Sequence, residues 1–316
     1  MRIMVTGGAG FVGSHVVRRL LPEHEVLVVD NLDPYYAPAW KQQRLDELIP
    51  HPNFRWSRID ILDAASLHHA FAAFRPDRVL HLAALPGVQP SLLDPAAYVD
   101  VDVKGTVNLL ALSAEHGVER FLFVSSSSVY GTEIEGPCAE DRELRPVSPY
   151  AAAKAAGETF ARTYERLYGL PVTIVRPFTV YGPEQRPDMA MFKFATSILR
   201  GEPITVYGKE IGRDYIFVED VADGMVRAAL AEQAAGRTYN IGSGQPVLIR
   251  DVVAELERTL GRTARVEWRD LPMGDVPRTW ANMQRAQTEL SFQARVPFAA
   301  GLQRFVEWYK QEGVGR

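Results

Sequence analysis

The chain has 316 residues, of which 47% are hydrophobic and 23% are charged, and its formal net charge is −4. This length fits one large domain or two closely joined domains, and the weak negative charge excludes a global attraction to nucleic acid or acidic membranes. Cys138 is the only cysteine, which excludes an internal disulfide. No apolar run approaches the roughly 20 residues of a membrane helix, and a strand-like segment starts at Met1 without room for a signal peptide. We therefore expect a cytoplasmic protein.

The first half of the chain alternates strand-like with helix-like segments. Short apolar strands are predicted at residues 2–6, 25–30, 53–57, 78–82 and 120–125, and helices at 10–20, 66–73 and 96–116. This alternation is typical of parallel strands joined by crossover helices, and the apolar strands indicate that helices cover both faces of the sheet. We predict an α/β fold with a doubly wound parallel sheet of the Rossmann type, which binds ligands at the carboxyl ends of its strands.

The second half begins with a helix at 150–168 and a strand at 172–176 that continue this sheet. From 177 to 212 proline and glycine are closely spaced and the pattern loosens, and further elements follow at 221–232, 237–241, 250–260 and 302–311. We expect a dinucleotide-binding domain over residues 1–176, with parts of 213–241 returning to it. The remainder, 177–316, is predicted to form a smaller C-terminal α/β lobe for the substrate.

A glycine-rich loop joins the first strand to the first helix. Gly7, Gly10 and Gly13 lie three residues apart in T-G-G-A-G-F-V-G. The first glycine allows a tight turn, the second lets the backbone approach a pyrophosphate, and the third packs the helix on the strand. The helix N-terminus then offers N–H donors and a positive dipole to the phosphates. The loop predicts a dinucleotide site that also includes Phe11 and Val12.

Acidic and small residues after the next strands complete this predicted site. Asp30 ends the second strand and is expected to accept hydrogen bonds from the adenosine ribose. Because a carboxylate there repels the additional phosphate of NADP, we predict NAD as the cofactor. The alternative is that Asp30 only ends a strand. Asp60 and Ile61, after the third strand, are placed to meet the adenine, and small residues after the fourth strand let the cofactor lie close: Leu82, Ala83 and Ala84.

Tyr150 and Lys154 are four residues apart on one predicted helix and therefore share a face. The ammonium of Lys154 favours the phenolate form of the tyrosine, and it can also bind the nicotinamide ribose. Ser126 lies in the run of four serines that ends the fifth strand, and we predict that its hydroxyl group binds the substrate oxygen beside Tyr150. A polar strand end without function is the alternative for this run. The pattern predicts hydride transfer to and from an alcohol carbon.

Four motifs follow one another between residues 6 and 220: T-G-G-A-G-F-V-G, S-S-V-Y-G, Y-A-A-A-K and R-D-Y-I-F-V-E-D. Their combination resembles the extended short-chain dehydrogenase/reductase family, the nucleotide-sugar epimerases and dehydratases. The resemblance implies oxidation of carbon 4 of a hexose, in which Tyr150 removes the hydroxyl proton and NAD accepts the hydride. Asn31 and Pro177 are added to the predicted cofactor contacts.

The serine run indicates which sugar reaction follows this oxidation. Family members that eliminate water resemble T-D-E at this place, and decarboxylating members carry a glutamate, whereas Ser126, Ser127 and Ser128 offer no carboxylate. The resemblance then implies that the ketone is reduced again from its other face, which is epimerisation. Ser127 and Ser128 are predicted to contact the substrate.

The segment 176–190 is similar to the corresponding segment of UDP-glucuronate 4-epimerases, including R-P-D-M, and the segment 85–91 resembles bacterial members of that group. The resemblance implies that Arg186 pairs with the sugar carboxylate and that Thr179 lies near it. A loop arginine that bonds nearby carbonyl groups is the alternative for Arg186. Further predicted substrate contacts in and beside these segments are Pro86, Gly87, Val88 and Met191.

Three more residues are predicted to contact the nucleotide. Arg213 matches the family position that binds the diphosphate, and Arg278 is expected to add a second positive group. Tyr207 is a candidate for stacking on uracil, although a structural aromatic residue fits the pattern equally well. The seven histidines lack metal-ligand spacing, so no metal site is predicted.

Several positions depart from the family pattern. Asp102 stands where the family usually has Asn, and Pro86 where UDP-galactose 4-epimerases have Lys. Gln89 replaces an Arg often found in the glucuronate group, and the segment 271–275 lacks an arginine that often precedes Gly-Asp. The predicted redox residues keep the family pattern.

The sequence therefore predicts an NAD-dependent 4-epimerase of a UDP-hexuronate, with UDP-glucuronate and UDP-galacturonate as its pair and with NAD bound and recycled. A 4-epimerase of a neutral nucleotide sugar is the second interpretation, and a non-catalytic NAD-binding regulator is the alternative outside the enzymes. The expected partners are the UDP-sugar and a second copy of the chain. The resemblance implies a homodimer formed by the helices at 96–116 and 150–168.

Overall fold

The structure is a computed structural model, and it describes residues 1–132 and 136–313. The strands are β1 (Arg2–Thr6), β2 (Glu25–Asp30), β3 (Phe54–Arg58), β4 (Arg78–His81), β5 (Arg120–Val124), β6 (Val172–Pro177), β7 (Thr179–Tyr181), β8 (Pro203–Tyr207), β9 (Gly212–Phe217), β10 (Thr238–Ile241), β11 (Pro246–Leu248) and β12 (Arg265–Arg269). The helices are α1 (Phe11–Leu20), α2 (Pro38–Leu48), α3 (Ala64–Phe74), α4 (Val88–Leu93), α5 (Pro95–Tyr98), α6 (Gly105–Glu115), α7 (Pro149–Tyr168), α8 (Ala190–Arg200), α9 (Val218–Leu230), α10 (Ile249–Leu260), α11 (Gln284–Leu290) and α12 (Phe298–Trp308). Within these two ranges, no helix combines the length and apolar character that a bilayer-spanning segment needs.

Seven parallel strands form the main sheet in the order β10-β6-β5-β4-β1-β2-β3. β1 lies between β2 and β4, so that Thr6 is beside Val29 on one side and His81 on the other. The inner strands are buried on both faces because helices cover both sides of the sheet; Ile3, Met4 and Val5 expose none of their surface. The predicted doubly wound α/β fold is confirmed, and the ends of its predicted strands lie within one residue of the observed ends.

The helix predicted at 96–116 contains an interruption. α5 ends at Tyr98, a π-helical segment runs over Val99–Lys104, and α6 then completes the helix. The Gly105 N–H donates to the carbonyl oxygen of Asp100, five residues earlier, which inserts one extra residue into the turn. Such π-turns occur mostly as single turns inside helices, frequently at functional sites. One continuous helix was predicted here, so this insertion was not anticipated from the sequence.

The smaller lobe is built from the elements after β6. A three-stranded sheet has the order β11-β9-β7, and a two-stranded parallel sheet pairs β12 with β8. The region 177–212, predicted to be loose, contains β7, α8 and β8, because its apolar residues pack into a second core with Tyr181, Phe192, Val252 and Phe305. β10 instead leaves this lobe and pairs with β6, with Asn240 beside Arg176.

Glu184 anchors the loop after β7 to the first half of the chain. Its carboxylate is 2.8 Å from Arg18 Nη1 on α1 and 3.1 Å from Arg44 Nε on α2. Arg44 Nη1 also donates to the carbonyl oxygen of Ala9 in the glycine-rich loop, at 3.1 Å. Although burial acts to raise it, the neighbouring Arg18 guanidinium lowers the pKa of Glu184 below its usual value. A charged, half-buried cluster therefore fixes this loop in place.

Candidate active site

A cavity of about 330 Å³ lies at the carboxyl ends of the main-sheet strands, where a doubly wound sheet binds its ligands. Every residue predicted to contact the cofactor lines it: Gly7, Gly10, Phe11, Val12, Gly13, Asp30, Asn31, Asp60, Ile61, Leu82, Ala83, Ala84, Tyr150, Lys154 and Pro177. Four residues predicted on the sugar side line the same cavity: Ser126, Pro86, Gly87 and Arg186. The fold thus brings the two predicted groups together in one space.

The loop after β1 has no room for side chains at two of its glycines. Gly7 has a φ of +72°, and a Cβ there would lie 2.6 Å from the backbone nitrogen of Ala83. A Cβ on Gly13 would collide with the carbonyl oxygen of Gly7. The resulting cradle of bare backbone stands in front of the first turn of α1, where N–H groups and the helix dipole suit a pyrophosphate. This part of the cavity fits a dinucleotide.

Asp30 is held rigidly at the end of β2. One carboxylate oxygen accepts a hydrogen bond from Ala9 N at 3.1 Å and the other from Leu32 N at 2.9 Å. The neighbouring Asn31 donates from Nδ2 to the Asp60 carboxylate at 3.0 Å. Acceptors fixed in this way at the cavity wall suit the hydroxyl groups of an adenosine ribose.

Tyr150 and Lys154 meet at the cavity because of where α7 begins. The Ser148 hydroxyl group accepts a hydrogen bond from Ala151 N at 3.2 Å and caps the helix, which places Tyr150 in the first turn and Lys154 one turn later. Lys154 Nζ lies 5.9 Å from the centre of the Tyr150 ring and donates to the Val124 carbonyl oxygen at 3.4 Å. Because Lys154 is only 5% exposed, its ammonium acts on the phenol with little screening by water.

The three predicted serines have different surroundings. Ser126 lines the cavity, and its oxygen accepts hydrogen bonds from Ser128 Oγ at 2.9 Å and from Ser128 N at 3.2 Å. Ser127 and Ser128 begin a short 3-10 turn and do not line the cavity. Ser126 is therefore the one of the three that faces the reacting space, with Ser128 fixing its hydroxyl group.

Arg186 is paired with Asp188. Its Nε donates to Asp188 Oδ1 at 2.9 Å and its Nη2 to Oδ2 at 3.0 Å, and its guanidinium lies 5.8 Å from the centre of the Tyr35 ring. Burial alone would lower the pKa of Arg186, but the hydrogen bond to Asp188 raises it above its usual value. These two bonds go to a carboxylate rather than to the carbonyl groups expected of a structural loop arginine. The guanidinium is charged, largely shielded from solvent with 20% of its side chain exposed, and oriented at the cavity wall.

A second cavity of about 230 Å³ adjoins the first, and Val180 and Met189 line both. Four predicted substrate residues line it: Thr179, Met191, Tyr207 and Arg213. Arg213 Nη2 donates to Asp275 Oδ1 at 3.1 Å. Two further predicted contacts line neither cavity: Arg278, whose guanidinium lies 4.6 Å from the centre of the Trp280 ring, and Val88, which starts α4.

The segment after β2 was missed in the sequence. Four of its residues line the first cavity: Asp33, Tyr35, Tyr36 and Lys41. A local signal exists, since Leu32 N, Asp33 N and Tyr35 N each donate to the side-chain oxygen two residues earlier. Such consecutive turns are what the run D-N-L-D-P-Y favours, and they fold the segment back over the cavity.

His81 lies behind the cavity, between two threonines. Its Nδ1 is 2.8 Å from Thr6 Oγ1 and its Nε2 is 2.9 Å from Thr106 Oγ1. Burial, with the charge of Lys154 as a smaller cause, lowers the pKa of His81 to about 3. An unfolded histidine has a pKa of about 6.5, so below that pH the unfolded chain binds a proton that the folded protein does not. This contribution to stability is complete above about pH 6.5 and is lost as the pH falls toward 3.

We therefore expect the free energy of unfolding to fall between about pH 7 and about pH 5, with a contribution of roughly 2 kcal/mol from His81. The unfolding temperature is expected to fall with it. In His81→Asn the decrease is expected to be smaller, because no buried imidazole resists protonation. Thermal unfolding followed by circular dichroism at the two pH values measures this difference. The exposed His69→Asn serves as the control, and an equal decrease in wild type and His81→Asn would contradict the argument.

Among the described residues, one group has a geometry that could hold a metal ion. Ligand atoms of His68, Glu115 and His116 lie within 4.8 Å of one another, although no metal site was predicted. His68 and Glu115 are exposed, with Nε2 of the histidine 3.5 Å from the carboxylate, and all three residues lie outside both cavities. The group is thus separate from the candidate active site.

Residues 3–242 of the chain match the NAD dependent epimerase/dehydratase family. The chain belongs to this family. The predicted resemblance to nucleotide-sugar epimerases is confirmed, and NAD is the cofactor that the family uses.

Members of the family that act on UDP-sugars are similar to this chain along its whole length. The UDP-glucuronate 4-epimerase of Thermodesulfobacterium geofontis is 38% identical, over 98% of this chain and 96% of the relative. The crystal structure of a UDP-glucuronic acid 4-epimerase from Bacillus cereus, in complex with UDP-glucuronic acid and NAD, has a TM-score of 0.94 at 33% identity and covers 98% of this chain and 99% of the other. A Thermus thermophilus UDP-glucose 4-epimerase bound to NAD has a TM-score of 0.90 at 32% identity, over 99% of this chain and 100% of the other. Because the fold is common to both sugar specificities, the substrate must be argued from side chains.

Proposed function

We propose that the protein is an NAD-dependent 4-epimerase that interconverts UDP-glucuronate and UDP-galacturonate. The observation that carries the proposal is that Arg186 lines the same cavity as Tyr150 and Lys154. A partly buried guanidinium in the same cavity as the reacting residues suits a sugar that carries a carboxylate, which it can bind through two parallel hydrogen bonds. The full-length similarity to UDP-glucuronate 4-epimerases supports the same substrate.

The residues of the first cavity fit NAD. Gly7, Gly10 and Gly13 leave the space for its pyrophosphate, and Asp30 accepts hydrogen bonds from the adenosine ribose while repelling the phosphate that distinguishes NADP. When bound, NAD supplies a reversible acceptor for the hydride of carbon 4. In this proposal Lys154, which lines the same cavity, binds the nicotinamide ribose.

The proton of the carbon 4 hydroxyl group is transferred by Tyr150, with support from Lys154 and Ser126. The phenolate oxygen of Tyr150 takes this proton, and the ammonium of Lys154 stabilises the phenolate by its charge. Ser126 donates a hydrogen bond to the same sugar oxygen and holds it in place. When the ketone is reduced on its other face, Tyr150 returns the proton, so the reaction balances without added acid, base or water.

The second cavity suits the nucleotide part of the substrate. Arg213 on β9 supplies a positive charge for the diphosphate, Tyr207 offers a half-exposed ring for the uracil, and Thr179 and Met191 form walls. Since Val180 and Met189 line both cavities, a UDP-sugar can extend from one into the other. On this proposal residues 1–176, with β10, hold the cofactor and 177–316 hold the nucleotide sugar. Arg278 is left out of this proposal because its guanidinium lies over Trp280.

The proposal is tested by incubating the purified protein separately with UDP-glucuronate, UDP-glucose and UDP-N-acetylglucosamine and separating the products by chromatography. We expect UDP-galacturonate from the first and little product from the others. Conversion of a neutral sugar without conversion of UDP-glucuronate would favour the neutral-sugar epimerase instead. Absence of any conversion by a protein that carries bound NAD would favour a regulator.

We also propose that the protein works in the cytoplasm as a homodimer, with α6 and α7 at the interface. Phe160 and Leu167 are 39% and 70% exposed on α7, seven residues apart and therefore on one face, and Tyr168 beside them is 64% exposed. Phe160→Glu is expected to convert the dimer into a monomer, measured by sedimentation. The control is Leu93→Glu, which changes an apolar residue on α4 that is 87% exposed. If Phe160→Glu keeps the native mass of the wild type, the interface lies elsewhere.

A further inference from the structure

Asp102 is a buried acid that the reaction outlined above does not use. It lies in the π-helical segment Val99–Lys104, and the residue is 1% exposed. Its Oδ1 accepts a hydrogen bond from Leu85 N at 2.8 Å, which holds the strand-end loop that lines the cavity. Its Oδ2 has no hydrogen-bond partner within the described part of the chain and lies 3.7 Å from Lys154 Nζ.

A carboxylate in this position is costly unless a cation accompanies it, because burial removes its hydration. Burial raises the pKa of Asp102, and the ammonium of Lys154 acts in the opposite direction. The two groups are close enough to attract each other strongly, because both side chains are buried and solvent screens them little. A small movement of either side chain would convert the 3.7 Å separation into a hydrogen bond.

The other groups that face Lys154 do not supply a second negative charge. The Val124 carbonyl oxygen on β5 accepts a hydrogen bond from Nζ, and the Phe123 ring lies 5.6 Å from it. His81 on β4 is neutral because burial keeps it unprotonated, and Tyr150 is the phenol of the same helix. Among residues 1–132 and 136–313, Asp102 is thus the one carboxylate within ion-pair distance of the lysine.

We propose that Asp102 is a positioning residue that holds the Lys154 ammonium and partly neutralises it, and that it thereby sets the pH range over which Tyr150 exchanges its proton. The inference rests on the proposed function for its kinetic readout. An uncharged Asn at this position would keep the acceptor for Leu85 N but would leave the ammonium uncompensated. The charge of Asp102 is thus separable from its hydrogen bond to the loop.

Asp102→Asn separates the two roles, because an amide oxygen can still accept from Leu85 N while the charge is removed. Without the negative charge of Asp102, the Lys154 ammonium stabilises the Tyr150 phenolate more strongly. The ammonium form of Lys154 also loses the carboxylate that stabilises it. Both limbs of the pH profile of kcat/KM are expected to move to lower pH, by about one pH unit, in the range usual for a charge within 4–6 Å. The KM for the UDP-sugar at the optimum is expected to stay as in the wild type, because Asp102 does not itself line either cavity and the amide keeps the hydrogen bond to Leu85 N.

Asp100→Asn is the matched control, since it removes an exposed acid from the same π-helical segment and is expected to leave both limbs in place. A readout without substrate is the absorbance titration of tyrosinate, in which the Tyr150→Phe background isolates the signal of Tyr150. If this titration shifts in Asp102→Asn while no UDP-sugar is converted, the proposed function fails and the role of Asp102 stands. If titration and pH profile both coincide with those of the wild type, Asp102 only supports the Leu85 loop and the inference is overturned.

Discussion

Replacing Tyr150 with Phe is expected to reduce turnover of UDP-glucuronate by roughly 10²–10⁴-fold, because the phenolate that moves the carbon 4 proton is lost. The ring remains, so its edge-to-face contact with Tyr98, at 6.1 Å between ring centres, is kept. Binding of NAD and of the UDP-sugar is therefore expected to stay within a few-fold of the wild type. Initial rates, together with calorimetric binding of the substrate, measure the two effects separately.

Tyr168→Phe is a suitable control for this prediction, since it removes a phenol from the exposed end of the same helix. The control is expected to turn over at the rate of the wild type. A Tyr150→Phe protein that is as active as the wild type would show that another group moves the proton. It would remove the main argument against the alternative interpretation, an NAD-binding regulator.

Replacing Arg186 with Gln is expected to weaken binding of UDP-glucuronate by roughly 10–100-fold and to leave binding of UDP-glucose nearly unchanged. The estimate follows from the loss of one charge-assisted hydrogen-bonded pair. Binding of the two nucleotide sugars, measured by calorimetry with NAD present, gives the ratio directly. Equal losses for both sugars would indicate that the loop had collapsed rather than that carboxylate recognition had been removed, and Asp188→Asn separates the contribution of the arginine's present partner.

The same variant is expected to release carbon dioxide. Oxidation of carbon 4 makes a β-keto acid, and its bond to the carboxylate breaks readily when that bond aligns with the carbonyl π system. The electron pair then passes to the ketone oxygen, and a proton from water restores a keto-pentose. A guanidinium that grips both carboxylate oxygens can hold the bond out of alignment. We expect a UDP-linked pentose by-product in Arg186→Gln, detected by mass spectrometry, and its absence would leave Arg186 with a binding role alone.

Local backbone geometry made the cofactor half of the site predictable. The spacing of Gly7, Gly10 and Gly13 indicates where the backbone must approach the cofactor without side chains. The role of Asp30 could be predicted from its position at the end of the next strand. All of the residues predicted on this basis line one cavity. Tyr150 and Lys154 were equally accessible, because four residues on a helix determine a common face.

The sugar side was less predictable because its contacts join distant segments. Asp188 can be seen beside Arg186 in the sequence, but nothing local indicates that their side chains pair or that Tyr35, some 150 residues earlier, closes over both. The π-turn that buries Asp102 against Lys154 likewise depends on the packing of α6 against α7. Ser127 and Ser128 were predicted to face the substrate, but a 3-10 turn directs the chain away after Ser126.

Arg44 links two loops that are far apart in the sequence, the glycine-rich loop after β1 and the loop after β7. Its guanidinium donates one hydrogen bond to the Ala9 carbonyl oxygen and another to the Glu184 carboxylate. Glu184 lies two residues before Arg186. A displacement of the glycine-rich loop is therefore transmitted through Arg44 and Glu184 to the loop that carries Arg186. Removal of the Arg44 side chain is therefore expected to loosen the glycine-rich loop and the loop before Arg186 together, since it breaks the contact that joins them.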